Sequence, residues 1–263
     1  MADCFAGRRL YGDDFTRDAI ALWYEDEREA YADLGKELNW FDDYFYHAMN
    51  VRNCYSALPH GRTFDRALGF GSALGDEFLP IIERVRDVVI LEPSEQFVGS
   101  RIGAIEPRYV KPTVEGIIPF PDAHFDLITC FGVLHHIPNV SFVIREMARV
   151  ARSGGFIILR EPVVSMGDWR HPRPGLTRRE RGIPAAVFRS AIDGAGLRVA
   201  RSTHCMFRPA MRVRMIARRY NTRFGAALDA WLSRLFAWNN IYHPTRIWQK
   251  FRPAAMSFVL TKD

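Results

Sequence analysis

The sequence predicts an α/β domain with a mostly parallel sheet and helices on both faces. Three observations predict it. Short β-type runs alternate with helical ones through the middle of the chain. The run Val88-Val89-Ile90-Leu91 is apolar without interruption, the pattern of a strand covered on both faces. A glycine turn, Gly69-Phe70-Gly71-Ser72-Ala73-Leu74-Gly75, is followed about twenty residues later by Glu92, the arrangement with which an α/β domain holds a nucleoside.

The elements follow in order. Residues 15–50 read as one or two helices rich in aromatics, with Trp23, Tyr24, Tyr31, Trp40, Phe41, Tyr44, Phe45 and Tyr46. Residues 63–68 are a short strand entering the glycine turn, and 75–84 form a helix behind it. Val88–Leu91 and Phe125–Phe131 are further strands. Residues 141–151 have helical spacing through Phe142, Ile144, Met147, Ala148 and Val150, with Ser141 as N-cap. Ser153-Gly154-Gly155 is a turn and 156–159 a buried strand. A helix over 184–192 stops at Gly194-Ala195-Gly196, and strands at 197–201 and 255–261 complete the core.

Hydrophobic residues make up 48% of the 263-residue chain and charged residues 25%, an ordinary balance for a globular protein with a full core. Cys4, Cys54, Cys130 and Cys205 are scattered, with no CxxC pair and no histidine at ligand spacing. This argues against a structural zinc site or a disulfide framework and fits a reducing cytoplasm. The first residues lack the layout of a signal peptide, and no apolar run is long enough to span a bilayer. The expected location is cytoplasmic, with a membrane-peripheral position as an extension. The net charge of +6 is unevenly spread. Segment 1–52 is acidic, whereas 207–252 carries Arg208, Arg212, Arg214, Arg218, Arg219, Arg223, Arg234, Arg246, Lys250 and Arg252 against Asp229 alone. Such a segment suits an anionic partner or substrate or a membrane surface, and equally a solvated face docked on the acidic segment.

Motif order is more specific than any single motif. Ala67-Leu68-Gly69-Phe70-Gly71-Ser72-Ala73 is followed by Leu91-Glu92-Pro93, then by Ile118-Pro119-Phe120-Pro121-Asp122-Ala123-His124-Phe125-Asp126-Leu127-Ile128. Val133-Leu134-His135-His136-Ile137-Pro138-Asn139 and Arg149-Val150-Ala151-Arg152-Ser153-Gly154-Gly155 complete the series. Together these segments resemble the class I S-adenosylmethionine-dependent methyltransferases, nearest to the small-molecule branch. The resemblance implies a Rossmann-like, mostly parallel seven-stranded sheet ending in an antiparallel hairpin, with N-terminal helices and a helical insertion before the last strand. It implies S-adenosylmethionine as cofactor and S-adenosylhomocysteine as product. Carried onto this chain, Gly69, Phe70, Gly71, Glu92, Pro93, Ile118, Phe131 and His136 become cofactor-binding positions, with Glu92 on the ribose hydroxyls. The chain departs from the family pattern at three places. Ala67 stands where an acidic residue is usual, Ala73 where a third glycine is usual, and Val114 where the acid for the adenine amino group is expected, with Glu115 one position off.

A hydroxyl acceptor needs a base, and His135 or Glu161 is expected to supply it. His136 reads better as a group packing on the cofactor or capping the next helix. No carboxylate–histidine cluster is visible in the sequence, so no metal is expected, with Asp168 the one residue that leaves the question open.

The loop after residues 156–159 faces the reaction centre in such a fold and is unusually polar. From it Trp169 is expected to stack on a sugar, and Arg170, Arg178 and Arg181 to bind phosphate or carboxylate, the alternative being a charged loop held by its own Arg–Glu pairs. The insertion at 207–250 carries an apolar stripe of Leu228, Trp231, Leu232, Leu235 and Phe236, expected chiefly to pack on the domain. A second use is contact with a membrane or a lipid-linked substrate. The expected organisation is a helical cap at 1–58 and a methyltransferase core at 59–263 that includes the insertion.

The expected activity is O-methylation of a sugar hydroxyl or another small-molecule or glycan acceptor. RNA methylation is weaker, because Trp231 and Trp238 fit a helix stripe better than a stacking platform, so nucleic acid is disfavoured. A non-catalytic partner protein that keeps the fold is a further alternative, motivated by Ala67 and the missing adenine carboxylate. The block from Pro119 to Pro138 counts against a nicotinamide dehydrogenase.

Overall fold

The computed structural model describes residues 1–38, 44–211 and 221–263. Trp40, Phe41 and the basic residues Arg212, Arg214, Arg218 and Arg219 lie outside the described residues. The strands are β1 Ala67–Phe70, β2 Val88–Leu91, β3 Arg108–Val110, β4 Phe125–Phe131, β5 Ala151–Pro162, β6 Leu197–Phe207 and β7 Pro253–Lys262. They form one seven-stranded sheet in the order β3-β2-β1-β4-β5-β7-β6. The first five pair in parallel, and β7 runs antiparallel to both β5 and β6. The expected mixed sheet with its C-terminal antiparallel hairpin is therefore present.

Several boundaries differ from the sequence reading. The first strand occupies Ala67–Phe70 instead of 63–68, because the Asp126 carboxylate takes the N–H groups of Asp65 and Arg66 (2.8 and 3.1 Å) just before it. Strand β3 was not anticipated: Arg108-Tyr109-Val110 is a short edge strand with no apolar run to mark it. The expected helix at 75–84 is a series of 3₁₀ turns over Asp76–Arg84, since Pro80 lacks a donor and crowds the turn before it. Ser153-Gly154-Gly155 is an irregularity within β5, between the pairs Phe125–Ala151 and Leu127–Phe156.

The helices are α1 Ala2–Phe5, α2 Arg17–Glu27, α3 Ala30–Leu38, α4 His47–Asn53, α5 Val140–Val150, α6 Ala185–Gly194, α7 Arg208–Met211 and α8 Arg223–Leu235. Helix α5 is not capped by the Ser141 side chain. Asp13, from the N-terminal segment, accepts the Ser141 N–H (2.8 Å) and hydroxyl (2.6 Å) instead. On one face of the sheet Val143, Ile144 and Met147 of α5 and Phe188 and Ile192 of α6 close the core. On the other face Phe64, Phe78, Ile81 and Val85 do so.

Strands β6 and β7 run longer than predicted and pair as far as Phe207 and Pro253. The segment between them therefore leaves the sheet at the end where β5 carries Glu161 and Pro162. Within it, the predicted stripe divides between two sides of α8. Leu232 and Phe236 pack against Met49, Cys205 and Phe207, whereas Leu228, Trp231 and Leu235 are exposed.

Candidate active site

The glycine turn follows β1 at the carboxyl edge of the sheet. Gly71 has φ +61°, and a Cβ there would lie 2.4 Å from the Val133 side chain, so only glycine lets the turn pass this close to the β4 loop. Ala73 has φ 47°, the left-handed region that favours glycine. Ala73→Gly is expected to stabilise the protein by about 0.5–1 kcal/mol, the strain relieved less the added chain entropy. A urea midpoint below that of the wild type would show that the turn holds no such strain.

Glu92 follows β2 and is 6% exposed. Its two oxygens accept from Ala73 N–H (3.0 Å) and Ser94 N–H (3.1 Å), tying the glycine turn to β2. Burial raises its pKa, against the pull of these two N–H groups and of Lys111.

A cavity with an empty volume of about 660 Å³, counted out to its mouth, opens beside this turn. Phe70, Gly71, Leu91, Pro93 and Val114 form one wall, and Val133, His136, Ile137 and Asn139 another. The remaining wall is Ile20, Trp23, Tyr24, Glu27 and Arg28 of α2 and its end. Indole N–H of Trp23 donates to the His136 carbonyl (2.6 Å), which locks α2 onto the β4 loop. An apolar slot floored by a glycine turn and backed by a buried carboxylate fits the adenosyl part of S-adenosylmethionine. Gly71 gives close backbone approach, and each Glu92 oxygen retains a second lone pair for a ribose hydroxyl.

Beyond β4, two histidines lie among three carboxylates. Glu161 has no exposed surface and accepts from Val133 N–H (2.8 Å), Leu134 N–H (2.9 Å) and His135 N–H (3.3 Å), and it bonds His135 Nδ1 (2.8 Å). Glu180 lies 3.6 Å from His135 Nε2. Burial opposes a charge on His135, but the hydrogen bonds and charges of Glu161 and Glu180 outweigh it and raise its pKa to about 9. Burial alone would raise Glu161; the His135 contact and the Val133 and Leu134 N–H groups hold it below the ordinary carboxylate value. His136 differs. Its Nδ1 bonds Glu27 (2.8 Å), which also accepts from Thr177 hydroxyl (2.6 Å) and Arg179 N–H (2.6 Å). One ligand-capable atom from each of His135, His136 and Glu180 lies within 4.8 Å of the other two, so among the described residues these three are placed to share a metal ion. Sequence gave no sign of this group, because Glu180 joins the adjacent His135 and His136 from a separate loop.

Of the residues predicted to bind cofactor, Phe70, Gly71, Pro93 and His136 line the cavity, and Glu92 stands behind its wall. Gly69 lies within β1, packed on Ser72 and Phe78. Ile118 is a correction: it is fully buried, and its N–H and carbonyl are taken by Glu146 and Arg149. Phe131 packs instead against Tyr55 and the Arg160 guanidinium. Glu115 is turned to Arg17, away from the cavity.

The predicted substrate-binding group is corrected more fully. Trp169 is 8% exposed and stacks on Phe5 at 4.4 Å, so it offers no face to a sugar. Arg181 has no exposed surface, and its donors go to the carbonyls of Tyr11, Leu134, His135, Ile137 and Pro138, leaving none for an anion. Arg170 pairs with Asp168, and Arg178 with Asp26. The polar loop thus braces the N-terminal helices and the histidine loop. His135 and Glu161 do meet, but as a buried ion pair. The residues missed were Glu27, Trp23 and Glu180; Trp23 and Glu27, four apart on α2, were the available signal.

Comparison with known proteins agrees with this fold. A methyltransferase-domain family profile matches residues 67–159. An uncharacterized methyltransferase, YcgJ of Bacillus subtilis (strain 168), is 30% identical over 104 residues, covering 37% of this chain and 41% of its own. The crystal structure of YcgJ superposes with a TM-score of 0.53 at 15% identity, over 83% of this chain and 99% of that one. The 27-O-demethylrifamycin SV methyltransferase of Amycolatopsis mediterranei (strain S699) is 48% identical over 42 residues, 16% of this chain and 15% of its own. The ubiquinone/menaquinone biosynthesis C-methyltransferase UbiE of Shewanella sediminis (strain HAW-EB3) is 30% identical over 102 residues, 38% of this chain and 39% of its own. The chain thus spans about two fifths or less of the length of these curated relatives. Residues 67–159 thus carry a methyltransferase domain, and the seven-stranded sheet built around it has the class I methyltransferase fold, whose cofactor is S-adenosylmethionine.

Proposed function

We propose that the protein methylates a hydroxyl of a small-molecule acceptor, with residues 1–58 acting as a cap on the methyltransferase core at 59–263. The observation that carries this reading is the His136–Glu27 pair in the lining of the cavity beside the glycine turn. When bound, S-adenosylmethionine supplies an electrophilic methyl group on its sulfonium. The chain's own residues hold and orient: Gly71 gives access, Glu92 holds ribose hydroxyls, and α2 covers the slot against water. Glu27 fixes the His136 tautomer by accepting from Nδ1, which leaves Nε2 to take the acceptor's proton. His135, predicted as base, is a poorer one, because its proton is held between two carboxylates.

The sugar reading loses its support, since Trp169 and Arg181 are spent on packing and on backbone carbonyls. A hydroxyl acceptor is in keeping with the name of the 27-O-demethylrifamycin SV methyltransferase. Carbon methylation is the second reading, favoured by the likeness to UbiE. His136→Ala is expected to lower kcat by about 100-fold or more. The test is transfer of labelled methyl from S-adenosylmethionine to a panel of phenols, polyketide alcohols and carbon acceptors. Methylation of the hydroxyl acceptors undiminished in His136→Ala would remove the base assignment, and products methylated only on carbon would overturn the oxygen reading.

A further inference from the structure

Helix α8 is inverted for a helix that only covers a core. Its buried positions are Gly225, Ala226, Asp229 and Ser233. On the other side Phe224, Leu228, Trp231 and Leu235 recur at helical spacing and are 74%, 37%, 61% and 52% exposed. The roll of the helix is fixed. Asp229 accepts from the N–H groups of Met206 (2.9 Å) and Phe207 (2.7 Å), bonds that a turn of the stripe toward the core would break. The apolar surface continues past the helix. Trp238 is 68% exposed, and the Asn239 side chain donates to the carbonyls of Trp248 and Phe251, pinning that turn to the end of α8. Ile247, Trp248 and Phe251 of the turn are themselves exposed.

The exposed charges that residues 221–252 bring to this surface have one sign. Arg223, Arg234, Arg246 and Lys250 are exposed, and the single acid of residues 221–252, Asp229, is buried. We propose that α8 and the 247–251 turn dock on an anionic lipid bilayer. The aromatic and aliphatic side chains enter the boundary between headgroups and acyl chains, and the cations meet lipid phosphates. An exposed apolar patch rimmed by cations marks an interaction surface, and tryptophan is stable at that boundary because its ring is apolar and its N–H is wet. A basic amphipathic helix lies in the plane of the interface. No helix among the described residues is long and apolar enough to cross a membrane, so the contact is lateral. A second copy of the same face would set cations against cations. An RNA surface would use the arginines but has little use for Leu228, Leu235 and Ile247. The insertion leaves the sheet at the end that carries Glu161, so docking brings the bilayer to the end of the sheet on which the candidate site is built. The inference stands whether or not the acceptor is a hydroxyl.

The test is sedimentation of the full chain with phosphatidylglycerol–phosphatidylcholine vesicles and with pure phosphatidylcholine vesicles. Wild type is expected to partition onto the anionic vesicles and to be released by high salt. Trp231→Ser with Trp238→Ser should weaken that partition by about tenfold or more, and Arg223→Glu with Arg234→Glu should abolish the preference for anionic lipid. All four side chains are exposed, so thermal unfolding and binding of S-adenosylhomocysteine should match wild type, which separates failure here from failure of the methyl-transfer reading. Wild type left in the supernatant at low salt overturns the proposal, as do variants that partition equally well. A dimer that dissolves in the tryptophan variant would assign the face to a second copy. Tight, salt-sensitive binding of single-stranded RNA without vesicle partition would assign it to nucleic acid.

Discussion

Glu92→Ala is expected to weaken binding of S-adenosylmethionine by about 100-fold or more in isothermal titration calorimetry, which amounts to loss of measurable binding at ordinary concentrations. Two effects combine. The carboxylate that would accept the ribose hydroxyls is removed, at about 1.5–3 kcal/mol for each charge-assisted hydrogen bond. The Ala73 and Ser94 N–H groups also lose their acceptor, so the glycine turn is no longer tied to β2. Glu92→Gln keeps one acceptor and the packing, and its loss should be nearer tenfold. Wild-type affinity in a folded Glu92→Ala protein would show that the nucleoside lies elsewhere.

Glu161→Gln should lower the free energy of unfolding by about 3–5 kcal/mol, the cost of breaking a buried ion pair from one side. A fully buried carboxylate serves three backbone N–H groups and one imidazole here, and an amide cannot accept all four. The pH dependence distinguishes a brace from a base. The folded pKa of His135, about 9, lies above its ordinary value of 6.5, so its contribution is fully present below 6.5 and lost as pH rises through 9. Glu161 is shifted the other way. Its contribution is present above the ordinary carboxylate value of 4.5 and lost as pH falls through its lower folded value. Wild type should therefore be most stable between about 4.5 and 6.5, and should lose stability toward pH 9 more steeply than Glu161→Gln. Chemical denaturation across pH checks this. A variant as stable as wild type but unable to turn over would make Glu161 a chemical participant.

The site was legible in the sequence where one local segment supplies both the structure and the chemistry. Gly69 to Gly75 makes its turn from its own glycines, and Val88–Leu91 delivers Glu92 to a fixed place at the sheet edge. Roles that depend on where a side chain finds its partner were read wrongly. Arg181 and Trp169 have the composition of a ligand-binding loop. Yet Arg181 is drawn inward by the carbonyls at the end of the 135–138 turn and by Tyr11, and Trp169 by the ring of Phe5. The stripe of α8 was likewise correct in spacing and incomplete in direction, because Asp229 decides which side meets the sheet.

Sequence by itself determined the α/β class, the parallel core, the cofactor and the place of Glu92 at the end of β2. Those properties follow from periodicity and from contacts between chain neighbours, which a linear pattern records. Tertiary structure alone decided that Glu27 meets His136 across more than a hundred residues, that His135 keeps its proton between Glu161 and Glu180, and that α8 turns its tryptophan outward. Each of these depends on the energy of a charged or large apolar group in a particular surrounding, and only the packed chain supplies that surrounding.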